Sequence, residues 1–195
     1  MDDFLQQIYL IEVKQQCEYC FEAVQKMNAI LKDREKGDFF REAHYLVHHA
    51  AAISRIFWPP KGRDKEATKR AKRRGRFLRD LLGLTSGHPI ENRALRDHFE
   101  HFDERLDDWA EKSRYRSIVD RFIGPRGAIR VNGIHDTDFI RHYDPAKKTL
   151  SFRGERFDVQ ALASGLDDIY NHTVKRLAEI EANKRLKPTH SPDPA

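Results

Sequence analysis

Apolar residues recur along much of this chain at alternating steps of three and four, the spacing that gathers them on one face of an α-helix. Leu10, Val13, Cys17, Cys20, Val24, Met27 and Leu31 keep that rhythm and predict a first helix from Phe4 to about Lys32. Asp33 to Asp38, charged and holding Gly37, reads as a turn. Phe40, Ala43, Val47, Ala50, Ser54 and Phe57 predict a second helix. Pro59 and Pro60 must stop it, because proline has no N–H to donate and restricts the residue before it. Asp64 is placed to cap a third helix that ends near Gly83, with Gly75 weakening its middle. After a loop from Thr85 to Pro89, the stripe Leu95, Phe99, Phe102, Leu106 and Trp109 predicts a fourth.

From Ser113 to Asp138 the periodicity fades, and Gly124, Pro125, Gly127 and Gly133 mark irregular chain. Phe139 to Tyr143, a turn at Asp144 to Lys147, and Thr149 to Arg153 read as a small β-hairpin. Val159, Leu162, Leu166, Ile169, Thr173, Leu177 and Ile180 predict the last helix. Such stripes are most simply buried against one another. The expected fold is mainly α: an antiparallel bundle of about five helices forming one domain over residues 1–186. A β-hairpin is inserted at about 138–153, before the last helix, and a flexible tail covers 187–195.

Composition narrows this picture. Hydrophobic residues make up 39% of the chain and charged residues 34%, which predicts one core with highly charged outer faces. No run approaches the roughly 20 apolar residues that cross a bilayer, and Met1-Asp2-Asp3 is acidic where a secretory leader would be basic. The expectation is a cytoplasmic protein with no membrane partner. Cys17 and Cys20 are the only cysteines and both fall in the first apolar stripe, so they are expected to be buried as small hydrophobes. No second pair exists to complete a zinc site. Ten Lys or Arg lie between Lys61 and Arg79 against Asp64 and Glu66, which exceeds the net +5 of the whole chain. The third helix is therefore a basic patch suited to a polyanion, with Lys69, Arg70, Arg73, Arg74 and Arg76 as candidate phosphate contacts.

The fourth stripe carries the densest candidate chemistry: Arg96, Asp97, His98 and His101 within six residues. Asp97 and His101 are four apart and share a helix face, where a carboxylate can fix the imidazole tautomer. A histidine so held can act as general acid or base on a ribose hydroxyl or leaving oxygen, while Arg96 offers its fork of donors to the phosphate. Arg96, four intervening residues and His101, with polar Asp97 directly after the arginine, resemble the R-x4-6-H signature of the HEPN family. That resemblance implies a helical bundle in which two motif helices meet across a homodimer. It also implies a metal-independent endoribonuclease that leaves a 2′,3′-cyclic phosphate, of the kind found in toxin–antitoxin and phage-defence systems. The implied partners are RNA, a second copy and an antitoxin protein, with no cofactor and no metal.

On that reading Arg96, Asp97 and His101 are catalytic, and Arg93, His98 and the third-helix cations hold substrate. On one straight helix Arg96 and His101 stand about 140° apart, so four groups from two helices would have to build the site. Other arginine–histidine spacings occur at Arg41 and His48, Arg93 and His98, Arg130 and His135, and Arg185 and His190. Arg41, followed by Glu42 on the second helix, is the main competitor. Alternative readings stay open. Arg96 with Glu100 and Asp97 with His101 would be ordinary pairs on a solvated face. The chain would then be a non-catalytic RNA- or partner-binding module using the basic third helix. A third reading assembles His44, His48 and His98 into a metal site inside the bundle.

Overall fold

The computed structural model describes residues 1–33 and 37–186. Among these it is mainly helical: α1 Asp3–Asp33, α2 Phe39–Phe57, α3 Lys65–Leu82, α4 Ala94–Glu100, α5 Phe102–Lys112 and α6 Val159–Leu186. Four short strands, β1 Phe122–Ile123, β2 Arg141–Asp144, β3 Thr149–Phe152 and β4 Glu155–Asp158, form one sheet before α6. The expected tail over 187–195, the residue pair Arg185 and His190, and part of the first turn extend outside the described residues. No described helix is long and apolar enough to cross a membrane.

Helices α1, α2 and α6 form the framework. Cys20 Sγ donates to the Leu46 carbonyl at 3.7 Å and His49 Nδ1 to Gln16 Oε1 at 2.7 Å, so α2 runs antiparallel to α1. Glu18 meets Tyr170 and Gln7 meets Lys184, which sets α6 antiparallel to α1 on another side. Most of the stripe residues read from the sequence are buried: Leu10, Val13, Cys17, Cys20, Ala43, Val47, Phe57, Leu166 and Ile169 lie in one core. Both thiols are fully buried and free, and burial pushes the Cys17 thiol up to about 12. They are inert core groups. On its opposite, outer face α1 leaves Phe4, Ile8 and Ile11 exposed, spaced four and three apart.

Asp38 and Asp64 each accept two backbone N–H groups at the starts of α2 and α3, and Gly83 ends α3 in the left-handed conformation at φ 68°. Gly75 has a positive role in α3: a Cβ there would collide with the Phe57 carbonyl oxygen, so glycine lets α3 press onto the end of α2. Two α3 arginines fix the same contact. Arg74 donates to the Arg55 carbonyl at 3.0 Å and lies over Tyr9, and Arg79 donates to Phe57 and lies over Trp58.

The structure departs from the expected elements in two places. The fourth stripe is divided between two helices, because His101 leaves helical geometry at φ −104°, ψ 38°. The second departure is that the hairpin is part of a mixed sheet. β1 runs parallel to β2, and Arg153 ends no strand but forms with Gly154, at φ 47° and 87°, a two-residue turn into β4. Positive φ at both positions matches the right-handed twist of the flanking strands.

The sheet positions α4 and α5. Phe152 receives Phe99, Phe102 and the ring of His98, the last stacked at 5.0 Å and 6°. Buried Asp138 accepts from Trp109 Nε1 at 2.9 Å, Ser113 Oγ at 3.1 Å and the His135 N–H at 2.7 Å. Arg153 donates to the Arg105 carbonyl and to Asp108, pinning α5 to the β3–β4 turn.

Candidate functional site

The candidate residues fall into three settings. Arg96 leaves the first turn of α4 and is mostly buried. Its guanidinium pairs with Glu100 one turn on and with Asp97 at 3.1 Å, while its Nε is buried without a partner. The ordinary helical pair foreseen for Arg96 is therefore formed. The one foreseen between Asp97 and His101 is not, since the Asp97 carboxylate is taken by Arg96 and only its backbone carbonyl reaches the His101 N–H.

His101 sits at the break between α4 and α5 with its side chain 52% exposed. Its Nδ1 stands 3.3 Å from Glu104, three residues on in α5. An Nδ1–H donated to that carboxylate leaves Nε2 unprotonated and open to solvent, the tautomer that a general base needs. The carboxylate beside the His101 ring is thus Glu104 and not the expected Asp97. The sequence signal for it was the histidine-to-carboxylate spacing of three, outweighed by the spacing of four back to Asp97.

His98 is displaced from the role expected of it. Its Nε2 donates to Glu155 of β4 at 2.7 Å, its ring lies flat on Phe152, and its Nδ1 is buried without a partner. It fastens α4 to the sheet and leaves no solvent-accessible nitrogen for substrate, since Nε2 is held by Glu155 and Nδ1 is buried.

A cavity of about 440 Å³ opens on the Arg96 side of α4. Its floor comes from Val47, Ala50 and Ala51 of α2 and its walls from the segment Gly87 to Arg93, from β4 and from the first turn of α6. Arg93 and Arg96 face it together with Arg156 of β4. Arg93 has no ion pair among the described residues, and Arg156 reaches only Asp136, at 3.8 Å. The sequence reading found Arg93 and Arg96 and missed Arg156. The Gly154 turn that brings β4 back beside β3 was its one signal.

The basic third helix is a separate surface. Lys69, Arg70, Lys72, Arg73 and Arg76 are exposed; Lys69 pairs with Glu66 at 2.7 Å, and the other four have no acidic partner among the described residues. Arg74 is a correction to the expected phosphate contacts, since its guanidinium is spent on the α2 carbonyls and Tyr9.

The rival constellations do not assemble. Arg41 pairs with buried Glu42 at 2.8 Å, and His48 packs edge-on to His49. His44 lies against Phe99, and among the described residues no three His, Cys, Asp or Glu side chains stand in metal-binding proximity. The metal reading of His44, His48 and His98 loses its geometric basis, because His98 is already bound to Glu155. The chain matches no protein-family model, no curated protein and no solved structure.

Proposed function

We propose that this protein is a metal-independent endoribonuclease of HEPN type that works as a homodimer. The observation that carries the reading is His101: a solvent-facing imidazole at a helix break, oriented by Glu104, five residues from a largely buried arginine. His101 takes or returns the proton of the ribose 2′-hydroxyl or the leaving oxygen. Arg96 supplies charge to the phosphate, which must compete with Asp97 and Glu100 for the guanidinium. A second α4–α5 break brought across a two-fold axis adds another Arg96 and His101 to the same phosphodiester and dilutes those carboxylates with cations. RNA reaches the site along α3, where Arg70, Lys72, Arg73 and Arg76 contact phosphates.

The test is cleavage of single-stranded RNA by the full chain in EDTA, with dimerisation followed by light scattering. His101→Ala and Arg96→Ala should each lower the rate by about a hundredfold or more while the protein stays folded. Glu104→Gln should lower it less. Cleavage unaffected by His101→Ala would remove the assignment. A dimer held through the exposed Phe4, Ile8 and Ile11 of α1, with the α4–α5 breaks apart, would remove the composite site.

A second reading is favoured by one observation, the exposed α3 cations Arg70, Lys72, Arg73 and Arg76, which have no acidic partner among the described residues. On that reading the chain binds RNA or another polyanion without cutting it. It predicts salt-sensitive binding by the wild-type protein and no product in EDTA.

A further inference from the structure

We infer that the cavity beside Arg96 receives one phosphorylated nucleoside unit, either a nucleotide of an RNA strand or a free mononucleotide. This deepens the ribonuclease reading by giving the Arg96 side of the site a specificity pocket. Its volume of about 440 Å³ lies in the range of small-molecule sites. Ala50 and Ala51 hollow its floor, and Phe157 offers an aromatic surface against which a base can stack. Arg93, Arg96 and Arg156 line it from two separate elements; Arg93 has no ion pair among the described residues, Arg156 is loosely paired, and Arg96 is held by Asp97 and Glu100. Two guanidinium groups at one cavity without a close carboxylate, Arg93 and Arg156, call for an oxyanion, and their planar forks suit a phosphate.

The walls say what the body of the ligand is. Glu91, Asn92 and Asp158 also line the cavity. An aliphatic chain would strip water from these groups and give nothing back. A base has N–H groups to donate to the carboxylates, and a ribose has hydroxyls to exchange with the amide. Splayed-out bases of single-stranded RNA are read in this way, by stacking and by hydrogen bonds to their edges.

The experiment is calorimetric titration of the full chain with adenosine and uridine monophosphates, adenosine, inorganic phosphate and a short single-stranded RNA. Expected is binding of a monophosphate at least about tenfold tighter than adenosine or phosphate, weakened about tenfold again by Arg93→Gln or by Arg156→Gln. Ala161→Leu, at the rim in the first turn of α6, narrows the cavity without disturbing the core and should abolish binding while the thermal melt is kept. Competition between mononucleotide and RNA for the cavity assigns RNA as the source of the unit, and tight mononucleotide binding without competition assigns a free nucleotide.

No binding of either, phosphate binding as tightly as the monophosphates, or unchanged binding by Ala161→Leu would overturn the inference. The same variants are assayed for cleavage in EDTA. Nucleotide binding by a chain that cuts nothing keeps the pocket and removes the nuclease. Unaltered cleavage by Ala161→Leu, with no nucleotide bound, does the reverse.

Discussion

Helices α3 and α4 both carry arginines, and they use them in opposite ways. On α3 the inward arginines, Arg74 and Arg79, cap backbone carbonyls at the end of α2, and the outward cations Arg70, Lys72, Arg73 and Arg76 have no acidic partner among the described residues. On α4 the cations are few, but Arg93 and Arg96 are joined by Arg156 from the sheet around a shaped cavity. Charge density and shape are thus separated. An exposed row of cations raises affinity for any polyanion and carries no sequence information, whereas convergent guanidinium groups over an apolar floor can discriminate.

The largest effect should come from loosening what holds the α4 side in place. Burial alone would raise the Asp138 carboxyl; the His135 N–H, the Trp109 indole and the Ser113 hydroxyl outweigh it and hold it below the usual range. Asp138→Ala leaves those three donors without their acceptor and should cost about 3 kcal/mol. Thermal unfolding would show it. The same variant should lose nucleotide binding at the cavity before it loses salt-dependent RNA binding at α3, because α3 is anchored to α2 and not to the sheet. Loss of both in parallel would break the contrast between the two regions.

What the sequence disclosed follows the same division. Stripes that bury against a neighbour were legible in α1, α2 and α6 because burial enforces the 3/4 spacing, and α3 was legible from the local signals at its ends, Asp64 and Gly83. The break at His101 was hidden because Leu95, Phe99, Phe102, Leu106 and Trp109 keep their spacing across it. The apolar face bends with the chain around Phe152. Strand β4 was hidden for the opposite reason: as an edge strand with mostly exposed residues it has no apolar alternation to show. With it went Arg156, Phe157 and Glu155, and so the cavity wall and the partner of His98. The motif arginine and histidine were visible as residues. The pairing of Arg96 with Glu100 was visible too, but the partner of His101 was not, since Asp97 had two candidates in reach and took Arg96.

A smaller effect tests the other half of the comparison. Replacing Arg70, Lys72, Arg73 and Arg76 with Gln should weaken binding to single-stranded RNA by about tenfold or more. It should also reduce the slope of log affinity against log salt by about 3, the value for four phosphate contacts on a single strand. Selectivity among mononucleotides should be untouched. If it falls as well, the basic helix and the cavity form one surface.

The smallest effect is a pH response carried by two histidines of α2. Burial lowers His44, with His48 and Arg141 adding and Glu100 opposing; burial and His48 lower His49. Both are α2 side chains, His44 against Phe99 and His49 hydrogen-bonded to Gln16. With folded pKa values below the unfolded 6.5, the unfolded chain takes up protons first as pH falls, so stability is greatest above 6.5 and declines as pH drops below it. Asp38 and Asp138 are also lowered, and their contribution fades only in more acid solution. Helix α3 contains no histidine. Melting temperature should therefore decline gently from pH 7.5 to 5.5, while RNA affinity, measured at constant ionic strength in the His101→Ala background, stays flat over the same range. A steep rise in affinity below pH 6.5 would place the polyanion on the histidine-bearing surface, and α3 would then be a solvated face.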